Sequence, residues 1–193
     1  MKNTTALLFI LTSAPVYAES VRELNAHEHG LGELNIAIDG STVVMELFAP
    51  GSDIVGFEYE AKNTEDRAAV DAAVATLAKP LDLFVLNAAA ECNVIKSSAS
   101  LESEDEHEDH DEHGHVEHAD AEDHEDAETS HTEFHAEYTL NCGDPEKLAG
   151  IEFAYFDAFP NALELEVQIV TSTGAQAFDV ERETPSLNIR GMF

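Results

Sequence analysis

The sequence predicts an α+β fold, predominantly antiparallel β, with one main helix and a disordered acidic loop rich in histidine. Several segments alternate apolar and polar residues with a period of two, which is typical of half-buried strands. Residues 64–78 carry helix start and stop signals. Residues 102–128 contain almost no side chain that could enter a core. Since both halves flanking this loop begin with a histidine pair and continue into alternating strands, one β-rich domain and two related β-rich lobes fit equally.

The first residues have the features of a secretory signal peptide. Residues 1–18 combine Lys2, an apolar run from Ala6 to Leu11 and a small residue at Ala18, which predicts cleavage before Glu19. An uncleaved N-terminal anchor is the alternative. We expect the mature chain to be exported, in a bacterium to the periplasm, without membrane insertion, because the apolar run is too short to span a bilayer.

Residues 19–101 form the predicted first β-rich half, which opens with a hairpin. Apolar residues alternate with polar ones from Glu33 to Asp39, and Asp39–Gly40 is a two-residue turn signal. With those two residues in the turn, Ile38 faces Ser41. This register keeps the apolar residues of both strands on one face.

The main helix of the first half is predicted at residues 64–78. Thr64 is the expected N-cap, and Pro80 stops the helix. Its apolar stripe, which we expect to pack on the core, consists of Val70, Val74 and Leu77. Residues 81–86 then form a buried strand or the approach to one.

The second β-rich half, residues 129–193, begins with a segment that has two chemically different faces. The apolar set is Phe134, Ala136, Tyr138, Leu140 and Cys142, and the polar set is His131, Glu133, His135 and Glu137. On a strand, the first set faces the core and the second forms a row of potential metal ligands. Turns at residues 159–161 and 172–174 separate the further strands of a meander.

The two cysteines, Cys92 and Cys142, are expected to form a disulfide, because an exported protein folds in an oxidising compartment. The bond would join the chain ends from which the acidic loop emerges, and would contribute roughly 4 kcal/mol in the chain-entropy model. Two thiolate metal ligands are the alternative, although neither cysteine belongs to a CxxC pair.

Charge and histidine content together point to metal cations. The chain has 40 Asp and Glu against 9 Lys and Arg, a formal charge of −31, which disfavours nucleic acid and anionic membranes as partners. An acidic run alone is typical of a solvated linker. This loop adds six histidines, and imidazole with carboxylate is a ligand set for divalent transition metals. They are His107, His110, His113, His115, His118 and His124.

A second kind of histidine cluster lies on the predicted scaffold. His27 and His29 share one face of an extended HEHG segment, as His131 and His135 do further on. An unliganded surface pair is the alternative for each. We expect no enzyme, because HExxH is absent and Leu31 and Gly32 stand where an HxHxDH motif needs Asp and His.

These segments together resemble the ZrgA-type family of periplasmic zinc-uptake proteins of Gram-negative bacteria. The similarity is carried by HEHG, PGSDIVGFEYEA (residues 50–61), the acidic loop and HTEFHAEYTLNC, and it covers nearly the whole mature chain. It implies zinc as the bound ion, with an inner-membrane ABC transporter and outer-membrane proteins as partners. It also implies His27, His29, His131 and His135 as ligands, with the loop histidines as auxiliary collectors.

We therefore predict a periplasmic protein that captures zinc and delivers it to an ABC-type uptake system. The alternative is a buffer or resistance protein for copper, nickel or zinc that is not coupled to a transporter. The donor set permits it, since affinity order alone favours copper over zinc.

Overall fold

The structure, a computed structural model, describes residues 29–103 and 131–192. The predicted signal peptide, His27 and the six loop histidines lie outside these residues. The helices in the described part are α1 (Gly51–Ile54), α2 (Thr64–Leu77), α3 (Pro80–Leu83) and α4 (Tyr155–Ala158). The strands are β1 (Leu31–Asp39), β2 (Thr42–Pro50), β3 (Phe84–Leu86), β4 (Cys92–Ser103), β5 (Thr132–Cys142), β6 (Gly150–Phe153), β7 (Glu164–Thr171), β8 (Gly174–Glu181) and β9 (Ser186–Asn188). None of the described helices is long and apolar enough to cross a membrane.

The predicted α+β class with mostly antiparallel strands is confirmed. A six-stranded sheet has the order β4-β5-β2-β1-β7-β8, and a smaller sheet has the order β3-β6-β9. All neighbouring strands are antiparallel except β1 and β7, which are parallel. Because β5 lies between β4 and β2, strands from before and after residues 104–130 share one sheet.

The β1–β2 hairpin turns one residue later than predicted. Ile38 pairs with Val43 and Asp39 with Thr42, so Gly40 and Ser41 form the turn. Gly40 has a φ of 54°, and a glycine with positive φ at the first central position is typical of a type II′ turn. The predicted register was wrong. Since the partner of each residue moves by two positions, the apolar side chains nevertheless stay on one face.

Helix α2 begins at Thr64 as predicted, but its cap is the preceding residue. The Asn63 side chain accepts a hydrogen bond from the Asp66 N–H at 2.8 Å, so the prediction of Thr64 as N-cap was wrong. Leu77 is fully buried, and Val70 and Val74 pack partly buried against the core. The helix lies against β4, where the Ser97 hydroxyl donates to the Ala78 carbonyl.

The core lies between the inner face of the six-stranded sheet and the helices and small sheet that cover it. Every second residue of β5 is buried, as the sequence predicted. Aromatic rings join the layers: the Phe84 ring of β3 lies 6.3 Å from Tyr138 and 5.9 Å from Tyr155. Burial of these rings supplies much of the hydrophobic stabilisation.

Cys92 and Cys142 form the predicted disulfide, with an S–S distance of 2.05 Å. They face each other across β4 and β5. Residues 104–130 depart from the other end of this strand pair, roughly 35 Å away at the usual rise per residue. The prediction that the bond joins the ends from which the acidic loop emerges was wrong. Strand β4 continues through Ser103 and so includes the first two residues of the segment predicted as the loop.

The outer face of the six-stranded sheet, opposite the core, is acidic and largely exposed. The register places on it Glu33, Glu46, Glu102, Glu133, Glu137, Glu164, Glu166, Asp179 and Glu181. Lys96 contributes a positive charge and pairs with Glu137 at 3.3 Å. Such a concentration of one sign of charge attracts cations.

Candidate metal sites

His29 and His131 meet at one carboxylate, that of Glu58. The Nε2 atom of His29 lies 2.9 Å from Glu58 Oε1, and the Nδ1 atom of His131 lies 2.8 Å from Oε2. His29 precedes β1, Glu58 follows α1 and His131 precedes β5. Three segments distant in sequence thus converge at one end of the large sheet. We call these three residues the Glu58 site.

The short helix α1 positions Glu58. The Ser52 hydroxyl donates to Glu58 Oε1 at 2.8 Å, and the Asn161 side chain donates to the Ser52 carbonyl at 3.1 Å. Gly51 permits the tight turn into α1. A Cβ there would lie 2.6 Å from Thr132 Oγ1 and 2.7 Å from the Phe57 carbonyl oxygen, which is closer than atoms can approach.

A buried aspartate positions the backbone beside His29. The Gly30 N–H donates to Asp53 Oδ1 at 2.8 Å, and the Gly30 carbonyl accepts from the N–H groups of Leu163 and Glu164. Gly30 has a φ of 91°, a conformation that favours glycine. Asp53 is 2% exposed, and its Oδ2 atom has no hydrogen-bond partner among the described residues. A buried carboxylate oxygen without a partner is costly.

The contacts in and around the Glu58 site shift the pKa values of its ionisable groups. Burial alone would raise the pKa of Glu58, but hydrogen bonds from His29, His131 and Ser52 outweigh it and lower the pKa to about 2. The Glu58 carboxylate in turn raises the pKa of His29, first through its hydrogen bond and then through its charge. Burial raises the pKa of Asp53, against the Gly30 N–H bond that lowers it.

The donor set of the Glu58 site suits zinc. Zinc binds imidazole nitrogen and carboxylate oxygen at about 2.0–2.2 Å, so two tetrahedral ligand atoms lie roughly 3.3 Å apart. Each imidazole contacts a different oxygen of the Glu58 carboxylate, at 2.9 and 2.8 Å, so the two exposed imidazoles would have to move toward each other for one ion to bind both nitrogens. The side chains of His29 and His131 are 69% and 47% exposed, whereas that of Glu58 is 14% exposed. An ion can therefore reach a carboxylate that is itself held firmly.

A second cluster, which we call the outer-face cluster, surrounds His135 on β5. Its Nε2 atom lies 3.2 Å from Glu46 Oε1, and its Nδ1 atom lies 3.4 Å from Glu102 Oε1. One ligand atom each from Glu46, His135 and Glu137 lies within 4.8 Å of the others. The four residues come from β2, β4 and β5.

The structure regroups the histidines that the sequence had paired along the chain. His29 and His131 share Glu58, whereas His135 belongs to the separate outer-face cluster, roughly 13 Å along the strand from His131. His27 and the loop histidines lie outside the described residues. Glu58 and Asp53 were not predicted as site residues, although both lie in the PGSDIVGFEYEA segment that carried the family resemblance. No local periodicity distinguishes these two acids from their many neighbours.

Comparison with known proteins identifies the family of this chain. The model of the ZrgA family of zinc uptake proteins matches residues 26–189. The matched range includes both clusters and the acidic segment between β4 and β5. A search of curated proteins found no significant match.

Proposed function

Because the chain belongs to the ZrgA family of zinc uptake proteins, we propose that it captures zinc in the periplasm and delivers it to an inner-membrane ABC-type zinc uptake system. The observation that carries this proposal is the convergence of His29 and His131 on Glu58. The family is one of uptake proteins and not of enzymes, so we assign the bound metal as cargo.

The tight site of this proposal is the Glu58 site, with the two imidazoles and the carboxylate as ligands. Each imidazole must be neutral at the nitrogen that binds zinc. In the absence of metal, the same nitrogens hydrogen-bond to Glu58, and at His29 zinc competes with a proton that the carboxylate stabilises. The site therefore binds zinc more weakly as the pH falls and releases protons when it fills.

The loop histidines act as collectors in this proposal. Residues 104–130 connect Ser103 at the end of β4 to His131, so the collecting segment ends on a ligand of the tight site. A high density of carboxylates and imidazoles raises the local cation concentration. The N-terminal residues 1–18 are the export signal, and the exposed imidazoles of the Glu58 site are where a transporter receives the ion.

Competitive zinc titration of the full-length chain tests the site. The double variant His29→Ala/His131→Ala and the single variant Glu58→Gln are expected to lose the tightest binding step. The matched control is His110→Ala/His118→Ala, which removes two imidazoles from the loop and is expected to keep that step. Tight binding that survives in His29→Ala/His131→Ala, in a protein with unchanged circular dichroism, would place the site elsewhere.

The six loop histidines favour a second candidate function, a periplasmic buffer for copper, nickel or zinc without a transporter. Imidazole-rich segments bind copper more tightly than zinc. The two functions differ in regulation: an uptake protein is induced by zinc starvation, and a buffer by metal excess. Growth of a deletion strain in zinc-depleted and in copper-rich medium separates them.

A further inference from the structure

Two glutamates of the outer face lie directly opposite each other next to a histidine. Glu46 of β2 pairs with Glu137 of β5, and two residues along the same strands Phe48 pairs with His135. Like charges in directly opposed positions destabilise a sheet. The His135 Nε2 atom lies 3.2 Å from Glu46 Oε1. One nitrogen and two carboxylates therefore converge where a cation would remove the repulsion.

We propose that His135, Glu46 and Glu137 form a second site for a divalent transition metal, separate from the Glu58 site. The ligand atoms lie within 4.8 Å of one another. An ion bound to all three at about 2.0–2.2 Å would place them roughly 3.3 Å apart. The side chains can close this gap by rotation about their own bonds, without a shift of the backbone. One nitrogen and two oxygens suit zinc and its neighbours in the transition series more than calcium, which prefers oxygen ligands.

The His135 ring is held in place before any ion binds. It stacks on Phe48 with ring centroids 4.5 Å apart and an interplanar angle of 8°. The histidine side chain is 21% exposed, and Phe48 is buried. Stacking of this kind fixes the plane of the imidazole, so the direction of its nitrogens is set by the sheet.

Glu102 supplies the outer contact that metal-binding histidines usually have. Its Oε1 atom lies 3.4 Å from His135 Nδ1 and 3.2 Å from the Ser100 hydroxyl, which donates to it. A carboxylate that accepts the Nδ1 proton selects the tautomer in which the Nε2 lone pair is free for a metal. In this cluster, Nε2 is the atom that faces Glu46. While no metal is bound, Nε2 donates to the Glu46 carboxylate at 3.2 Å, so an ion would displace that proton and leave the remaining one on Nδ1, 3.4 Å from Glu102.

Lys96 offsets part of the charge while no metal is bound. Its Nζ atom lies 3.3 Å from Glu137 Oε2, leaving the other oxygen of Glu137 for an ion. Both side chains of this pair are more than half exposed, and such ion pairs contribute little to stability. A divalent ion can therefore compete with the ammonium group for Glu137 at small cost.

Through Glu102, the cluster extends to the end of β4 that precedes the acidic segment. Glu102 is the second-last residue of β4, and residues 104–130 follow Ser103. The proposed second site is thus next to the start of this segment and the Glu58 site next to its end. This inference goes beyond the proposed function, because it assigns a metal position that does not depend on His29 or His131.

Competitive zinc titration of the full-length chain, combined with ¹⁵N NMR of the imidazoles, tests the second site. In Glu46→Gln/Glu137→Gln we expect one class of zinc site to weaken by roughly tenfold or more, while the tightest step remains. In Glu102→Gln the same class should weaken by about 10- to 100-fold, the usual effect of losing an outer contact to a ligating histidine. Zinc should shift the His135 Nε2 resonance in the unmodified chain.

The matched control is Glu33→Gln/Glu166→Gln. These two glutamates also pair across neighbouring strands of the outer face, so the control removes the same charge in a similar position without a histidine. Equal weakening in both double variants would mean that Glu46 and Glu137 attract zinc by their charge alone and do not bind it, which would overturn the proposal. A His135 resonance that zinc does not shift would overturn it as well. Thermal unfolding without metal checks the folding of each variant. Loss of binding in His29→Ala/His131→Ala concerns the Glu58 site alone, so the two proposals fail separately.

Discussion

At Glu58 a single carboxylate accepts hydrogen bonds from two imidazoles and one hydroxyl. These contacts lower the pKa of Glu58 to about 2 and raise that of His29. A carboxyl group whose pKa is lowered on folding stabilises the folded state at pH values above its ordinary pKa. That stabilisation is lost as the pH falls toward the pKa in the folded state. A histidine whose pKa is raised on folding stabilises the folded state at pH values below its ordinary pKa. That stabilisation is lost as the pH rises through the pKa in the folded state.

The first prediction concerns metal-free stability as a function of pH. The free energy of unfolding of the unmodified chain should exceed that of Glu58→Gln most between about pH 4.5 and 6.5, the ordinary pKa values of Glu and His. The difference should shrink on both sides of this window. Urea unfolding in the presence of a chelator measures it, with Glu60→Gln as an exposed control that should give no such profile. A difference independent of pH would mean that the histidine contacts do not form in solution.

Gly51 shows how much one backbone position constrains the connection between β2 and α1. In Gly51→Ala the new Cβ would meet Thr132 Oγ1 and the Phe57 carbonyl at 2.6 and 2.7 Å, so the connection must shift. The second prediction is a loss of about 1–3 kcal/mol in the free energy of unfolding, typical of overpacking, together with weaker zinc binding at the Glu58 site.

Gly143→Ala is the control for this prediction. There the nearest atom to a new Cβ is Oε2 of Glu91, at 3.0 Å, the end of a flexible side chain that can move away. Thermal or urea unfolding of both variants gives the comparison. Equal effects would show that the β2–α1 connection is no tighter than an ordinary loop.

At the scale of elements, the disulfide closes one end of the β4–β5 pair, the Glu58 site lies at the other end, and the outer-face cluster lies between them. The third prediction is that Cys92→Ser/Cys142→Ser lowers the free energy of unfolding by about 2–4 kcal/mol but leaves zinc affinity unchanged. Denaturant unfolding and zinc titration of the same sample measure both quantities. Reduction of the unmodified chain should reproduce the loss. A drop in zinc affinity on reduction would indicate that β4 and β5 separate along their whole length.

The elements that could be predicted from the sequence are those governed by local patterns. Alternation along β5 identified its buried face, and the helix signals placed the start of α2, because both depend on neighbouring residues only. The turn at Gly40 and the Asn63 cap were each displaced by one residue, since Asp39 and Thr64 are equally plausible locally. The parallel pairing of β1 with β7 and the meeting of His29 with His131 depend on contacts between distant segments. Local patterns carry no information about such contacts.

At the scale of the whole molecule, the formal charge of −31 should govern how fast zinc arrives. The fourth prediction is that the association rate for zinc falls as ionic strength rises, because salt screens the field of the acidic residues. The Debye length shrinks from about 30 Å at 0.01 M salt to about 8 Å at 0.15 M. Stopped-flow measurements with a zinc indicator record the rate.

Deletion of residues 104–128 tests whether this segment collects zinc for the scaffold, as proposed. The shortened chain should keep its fold and its tight site, since both reside in the described residues, but it should capture zinc more slowly and with a weaker dependence on salt. This deletion leaves Glu102 in place. If the tight site disappeared from a folded shortened chain, the division between collector and scaffold would be wrong.

The position of the disulfide also affects how this protein can change over evolution. Cys92 and Cys142 close the β4–β5 pair at the end far from residues 104–130, so strand pairing does not depend on the length of the intervening segment. For a flexible insertion, doubling the length costs only about 0.6 kcal/mol of closure entropy. Residues can thus be gained or lost between β4 and β5 with little effect on folding. Under the proposed function, the number of collecting histidines can therefore change while the sheet stays the same.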